Sequence, residues 1–134
     1  FGGNRKFKGE VITVKLDKNN KDLAAFLKNN NGLGKVVIVD VNMEYFAVVG
    51  DNLMKFANDN KFEGIIVNGY VRDTVTTKEF DIGLVAKGTC PRKYIPVQDG
   101  KINVPLVIDG IEINSGDYVY VDPDGIVICK EKLV

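Results

Sequence analysis

Gly50-Asp51-Asn52-Leu53 opens an amphipathic segment, and Gly69, Arg72 and Asp73 follow just past the apolar run Ile65-Ile66-Val67. These residue types can hold a small keto acid against a divalent metal. An arginine such as Arg72 forks onto a carboxylate, and an aspartate such as Asp73 ligates a hard cation. Asp51 can move a proton directly or through water. If Asp51 starts a helix, the N–H groups of Asp51, Asn52 and Leu53 lack intrahelical acceptors and could receive a ligand carboxylate. Each element alone has an ordinary explanation. An acidic residue near a helix N-terminus is favoured by the helix dipole, and an Arg-Asp pair in a loop contributes little. Their combination is more telling: both follow apolar strands, so both are expected at the carboxyl ends of neighbouring strands, where α/β sheets place ligands.

Histidine is absent from the 134 residues. That removes Ser-His-Asp and Cys-His catalysis and HExxH zinc sites, leaving carboxylates, lysine, tyrosine, cysteine or water for proton transfer. Gly32-Leu33-Gly34 precedes an apolar run rather than following one and has no third glycine, so it reads as a turn and not as a dinucleotide loop. Asp122-Pro123-Asp124-Gly125 lacks EF-hand spacing and reads as a tight acidic turn. Cys90-Pro91-Arg92-Lys93 is a loop whose charges could reach a site or simply be solvated. Eighteen basic residues balance eighteen acidic ones, which argues against a nucleic-acid or anionic-membrane surface. Cys90 and Cys129 show no CxxC spacing and are expected as reduced buried thiols in a cytoplasmic protein. There is no apolar run of the roughly 20 residues a membrane span needs, nor a secretory signal.

The elements that must position these residues follow from periodicity. Glu10 to Leu16 alternates as a strand, and Lys35 to Val41 and Gly64 to Asn68 are continuous apolar runs that suit strands buried on both faces. Asp22 is expected to cap a helix from Leu23 to Lys28, ended by Asn29-Asn30-Asn31-Gly32 with a left-handed C-cap. A second helix runs from Gly50-Asp51 to about Lys61, with Leu53, Phe56 and Ala57 on its apolar stripe. A short helix from Thr74 to Glu79 and a strand from Ile82 to Lys87 come next. Short strands at Ile102 to Ile108, Ile111 to Ile113, Tyr118 to Val121 and Ile126 to Cys129 close the chain, with hairpin turns at Asp109-Gly110 and Asp124-Gly125. The expectation is one α/β domain over 1–134, a mixed sheet with a β-rich second layer. Because the chain opens at Phe1 rather than Met, a truncated N-terminus is also expected.

The order of motifs resembles the RraA (regulator of ribonuclease activity A) family. It is carried by Phe1-Gly2-Gly3, Phe7-Lys8-Gly9, Val11-Ile12-Thr13-Val14, Gly32 to Asp40, Gly50-Asp51, Gly64 to Asp73, Gly88 to Arg92, Val104-Pro105, Gly116 to Tyr120 and Asp124 to Val127. The resemblance implies an RraA-like swivelling β/β/α domain assembled as a homotrimer with sites between subunits. One branch consists of metal-dependent aldolases that cleave 4-hydroxy-4-methyl-2-oxoglutarate and decarboxylate oxaloacetate. The other binds a ribonuclease and restrains RNA decay. The aldolase branch carries an aspartate, twenty intervening residues and Arg-Asp, which Asp51, Arg72 and Asp73 match. Carried over, Gly50, Asp51, Asn52 and Leu53 would bind the substrate carboxylate and Arg72 the keto acid. Asp73 would hold magnesium or manganese, and Asp51 would position a proton-shuttling water. Val41-Asn42-Met43-Glu44 departs from the glycine-and-serine run usual in the family. A non-catalytic regulator with a ribonuclease or helicase partner is the rival implication.

Overall fold

The computed structural model of the chain describes residues 1–17, 20–42, 44–92 and 100–133. Met43 and Lys93, on two loops named above, lie outside these. Strands β1 (Phe7–Lys15), β2 (Lys35–Asp40), β3 (Ala47–Val49), β4 (Gly64–Val71) and β5 (Gly83–Thr89) are interleaved with helices α1 (Lys21–Asn29, before β2), α2 (Asp51–Asp59, after β3) and α3 (Thr74–Thr77, before β5). The chain ends in β6 (Lys101–Ile102), β7 (Leu106–Ile108), β8 (Ile111–Ile113), β9 (Tyr118–Asp122) and β10 (Gly125–Cys129). β1, β2, β4 and β5 run parallel in that spatial order, β9 and β6 pair antiparallel with β1, and β10 closes the far edge on β9.

The parallel strands carry unbroken apolar sequence because both faces are covered. On one face Val37, Val39, Ile65 and Val67 pack against Leu23 and Leu27 of α1 and Met54 and Ala57 of α2. On the other, Val11, Val36, Ile38 and Ile66 meet Leu106 and Ile113 of the separate β7–β8 hairpin. This is the expected mixed sheet with a β layer on one side and helices on the other.

The structure departs from the sequence expectations at several points. Strand β3 has no counterpart among them; three residues are too few to show a period. Ile102 to Ile108 is two strands, since Asn103 turns left-handed (φ 62°) and Pro105 has no N–H to extend a ladder. Asp22 does not cap α1: Asn20 is the N-cap, its side chain making no capping bond and donating instead to the Val48 carbonyl, and the Asp22 carboxylate accepts the Gly100 N–H. The left-handed residue after α1 is Gly34 (φ 74°), not the C-cap Asn30, which is extended. The last hairpin turns on Pro123-Asp124, with Gly125 already in β10 and the Asp122 carboxylate accepting from the Asp124 and Gly125 N–H groups.

Phe7 shows how tightly the sheet is fitted. Gly64 and Gly83 are register partners on β4 and β5, and a Cβ on either would lie 2.4 or 2.1 Å from the Phe7 ring. Two opposed glycines thus leave a slot that one aromatic ring fills, joining β1 to the β4–β5 pair. Gly83→Ala is expected to cost about 1–3 kcal/mol through overpacking, read as a lower urea midpoint at unchanged slope. A midpoint equal to the parent's would show that the ring has room to move.

Candidate active site at the carboxyl end of the parallel strands

The last residues of β3 and β4 are register partners, Val49 with Val71, and the Arg72 N–H donates to the Val49 carbonyl at 2.9 Å. This sets Gly50, the extended N-cap of α2, directly against the Arg-Asp pair. A Cβ at Gly50 would stand 2.7 Å from Asp73 Oδ2 and 3.3 Å from both Cγ and Nε of Arg72. Glycine is needed here for close approach rather than for an unusual backbone angle.

Asp73 itself has the unusual angle, φ 58° and ψ 37°, which costs a non-glycine residue free energy and is held by its surroundings. Its carbonyl accepts the Thr76 and Thr77 N–H groups to start α3. Its carboxylate does not cap that helix but turns back to α2, where Oδ2 accepts the Asp51 N–H at 3.2 Å. Arg72 Nε lies 3.9 Å from the same oxygen, and both side chains are about one-third exposed, at 37% each.

The structure therefore brings Gly50, the Asp51 backbone, Arg72 and Asp73 together. One detail differs from expectation: the Asp51 N–H is already taken by Asp73, so of the three helix-start amides only those of Asn52 and Leu53 remain without a described acceptor. Leu53's side chain is buried against the helix-side core, so its contribution is limited to its N–H. The Asp51 side chain is exposed beside the pair.

Among the described residues no three carboxylates or cysteines converge as a ready-made metal cage. The donor set nevertheless fits a divalent ion of the magnesium type, which keeps most of its waters and takes one or two carboxylates plus substrate. Asp73 Oδ1 bears no hydrogen bond from a described residue, while Oδ2 is anchored inward. Concavities of about 780 and 540 Å³ lie elsewhere, against Lys6, Lys8 and Tyr120, and none of the four site residues lines them. Among the described residues the site is a shelf on which Arg72 and Asp73 are each 37% exposed and Asp51 faces solvent.

Two further groups near this edge were not singled out from the sequence. Lys15, Asp40 and Asn68 are register partners across β1, β2 and β4, and their side chains form a row in which the buried Asp40 carboxylate accepts from Lys15 Nζ (2.9 Å), Asn68 Nδ2 (3.0 Å) and the Asn42 N–H (2.9 Å). Burial pushes the Asp40 carboxyl up, but the Asn42, Lys15 and Asn68 hydrogen bonds outweigh it and hold the group below the ordinary carboxylate value. Tyr45, on the connection between β2 and β3, stands edge-on to Tyr70 with ring centroids 4.9 Å apart. A hydrogen bond with the buried Cys90 thiol raises its phenol above the ordinary value. The only signal for either was a charged or aromatic residue interrupting an apolar stretch. Cys90 and Cys129 are both free thiols; Cys90 is buried as expected, whereas Cys129 is only half-buried.

A family model described as RraA-like, Aldolase/RraA, matches residues 2–128. The chain belongs to the RraA-like family. A relative from Shewanella oneidensis named "Putative 4-hydroxy-4-methyl-2-oxoglutarate aldolase" is 41% identical over 99% of this chain and 81% of its own length. The RNA-processing inhibitor RraA from Thermus thermophilis superposes with a TM-score of 0.94 at 32% identity, over 99% of this chain and 81% of that one. A structure titled S-adenosylmethionine: 2-dimethylmenaquinone methyltransferase from Geobacillus kaustophilus gives a TM-score of 0.94 at 33% identity, over 99% and 83%.

Two outcomes are expected of this RraA-like chain. Gly50→Ala should drive the Asp73 carboxylate off the Asp51 N–H while leaving the fold intact; an unchanged Asp51 amide exchange rate would refute the close approach. Asp40, whose folded carboxyl titrates lower than its unfolded one, contributes stability fully present above the unfolded value and lost as pH falls through the folded one. Thermal unfolding below about pH 4 should therefore show a shallower acid-induced loss in Asp40→Asn than in the parent, and identical slopes would remove Asp40 from the acid limb.

Proposed function

We propose that this protein is a divalent-metal-dependent carbon–carbon lyase acting on short α-keto acids, of the 4-hydroxy-4-methyl-2-oxoglutarate aldolase and oxaloacetate decarboxylase type. Three different activities named on one fold mean that the fold does not choose among them, so the site must. The observation that carries the reading is the convergence of Gly50, Arg72 and Asp73, with Asp73's carboxylate turned away from its own helix. The aldolase name of the Shewanella relative supports it.

Asp73 Oδ1 would hold magnesium or manganese. When bound, such an ion supplies Lewis-acid polarisation of the keto oxygen. Arg72 binds the α-keto carboxylate through its guanidinium, and the Asn52 and Leu53 N–H groups receive the substrate's second carboxylate at the positive end of α2. In decarboxylation the carbon–carbon bond electrons stay with the pyruvate fragment as carbon dioxide leaves, and a proton from water then fills the vacated position on carbon. Arg72 offsets the negative charge that develops on the keto oxygen. Asp51, solvent-facing beside the pair, orients the water that delivers the proton. The part-exposed Arg72 and Asp73 fit a homotrimer in which a neighbouring subunit packs beside the site. A cytoplasmic location belongs to the same reading; among the described residues no helix is long and apolar enough to cross a membrane.

A second reading, a non-catalytic regulator that binds a ribonuclease or helicase, is favoured by the likeness to the Thermus RNA-processing inhibitor. The two separate in one assay. Pyruvate release from oxaloacetate is measured with magnesium or manganese, then with chelator, against a metal-only blank. Arg72→Ala is expected to lower kcat/KM about 100-fold or more, and Asp73→Ala to abolish the metal dependence with the oligomer intact. Turnover no faster than the blank would sink the lyase reading and leave the regulator.

A further inference from the structure

The connection between β2 and β3 leads into Gly50, and a buried carboxylate sits where it leaves β2. The Asp40 carboxylate is 1% exposed at the end of β2. Its Oδ1 accepts two hydrogen bonds, from the Asn42 N–H at 2.9 Å and from Asn68 Nδ2 on β4 at 3.0 Å. Oδ2 takes Lys15 Nζ at 2.9 Å. The Asn42 bond closes a turn in which Asn42 adopts the left-handed conformation (φ 52°). There the chain leaves the line of β2, and Val41, 1% exposed, drops into the space that Gly69 leaves open on β4. A Cβ at Gly69 would be 2.6 Å from Val41 Cγ2.

The chain then returns as β3. Three residues long, with an irregular register against β4, this strand is held along its length by the Ala47 N–H on the Arg92 carbonyl (2.8 Å) and by Asn20 Nδ2 on the Val48 carbonyl (2.7 Å), while its entry and exit are set by its two ends. Downstream it runs into α2. Upstream it depends on the turn that Asp40 Oδ1 ties to β4. The Oδ2 contact differs in kind: Lys15's side chain is 38% exposed, and a pair with one solvated partner adds modestly; its Nζ also reaches Asn42 Oδ1 at 3.2 Å, a bond that any Lys15 variant loses alike.

We propose that Asp40 is a positioning residue for the shelf formed by Gly50, Arg72 and Asp73. It acts through Oδ1 on the β2–β3 turn, so that β3 re-enters the sheet at the height where Val49 receives the Arg72 N–H. Its effect on turnover rests on the lyase reading above; its effect on β3 does not.

Two double variants isolate Oδ1. Asp40→Asn/Lys15→Met and Asp40→Ala/Lys15→Met both remove the ion pair, and only the second removes the acceptor. Residue-level hydrogen exchange is read at the Arg72 amide, with the Val11 amide on β1, bonded to the Asp117 carbonyl, as the internal control. KM and kcat for oxaloacetate with magnesium are measured alongside. In the asparagine double both readouts should stay within about twofold of Lys15→Met. In the alanine double, loss of a buried acceptor should speed Arg72 exchange and raise KM, each about tenfold, with Val11 unchanged and kcat less affected. Equal Arg72 exchange in the two doubles overturns the proposal. So does separation in exchange without separation in KM, provided the parent turns over. A parent with no turnover removes the lyase reading, and exchange alone then decides whether Asp40 places β3. Should the alanine double fail to fold, Asn68→Ala cuts one of the two Oδ1 contacts. Its Arg72 amide should exchange a few-fold faster, and no change there is equally fatal.

Discussion

β4 has two edges, and β5 occupies one of them along nearly its whole length. The other edge must serve both β2 and β3. β2 pairs with Gly64 through Asn68, and β3 takes Tyr70 and Val71. Much of the site's local architecture follows from this shared edge. The chain has to step out of the sheet after Asp40 and back in at Ala47, Gly69 has to be small where Val41 folds in, and α2 has to start level with the end of β4. Parallel strands make the arrangement useful, because every one of them delivers its carboxyl end to the same side. Gly50 and Arg72 are brought together by topology before any side-chain interaction is counted.

Within that frame the side chains divide their work. Asp73 accepts a left-handed backbone so that its carboxylate faces α2 and not its own helix. Asp40, lower on the same edge, is satisfied by three donors from three elements, so a buried charge stabilises the junction where an unpaired one would weaken it. The chain's membership in the RraA-like family places it on a fold whose relatives carry several different names.

Much of this could be read from the residues. The apolar runs at Lys35 to Val41 and Gly64 to Asn68 announce doubly covered strands, and charged residues just after such runs point to the sheet edge where ligands bind. Asp51, Arg72 and Asp73 are legible for that reason. What a linear pattern does not carry is partnership across strands. Asp40 looks like the solvated end of a strand until Lys15 and Asn68 are seen on either side of it. β3 is too short to have a period, and Tyr45 gains meaning only beside Tyr70 and Cys90. The misplaced Asp22 cap fails similarly, because Gly100, far along the chain, competes for its carboxylate.

Phe7 pairs with Val121, and the whole of β1 between Phe7 and Glu10 is edged by β9. This pairing joins two strands far apart in the sequence, so that edge stays open until β9 is in place. Contacts so distant in sequence carry a large loop-closure cost and slow folding. Strands β2, β4 and β5 can meet earlier with α1 and α2 laid over them, since all of them lie within the first two-thirds of the chain. Closure by β9 and β10 then comes after the parallel strands have met, and until it does β1 presents an unpaired edge from Phe7 to Glu10.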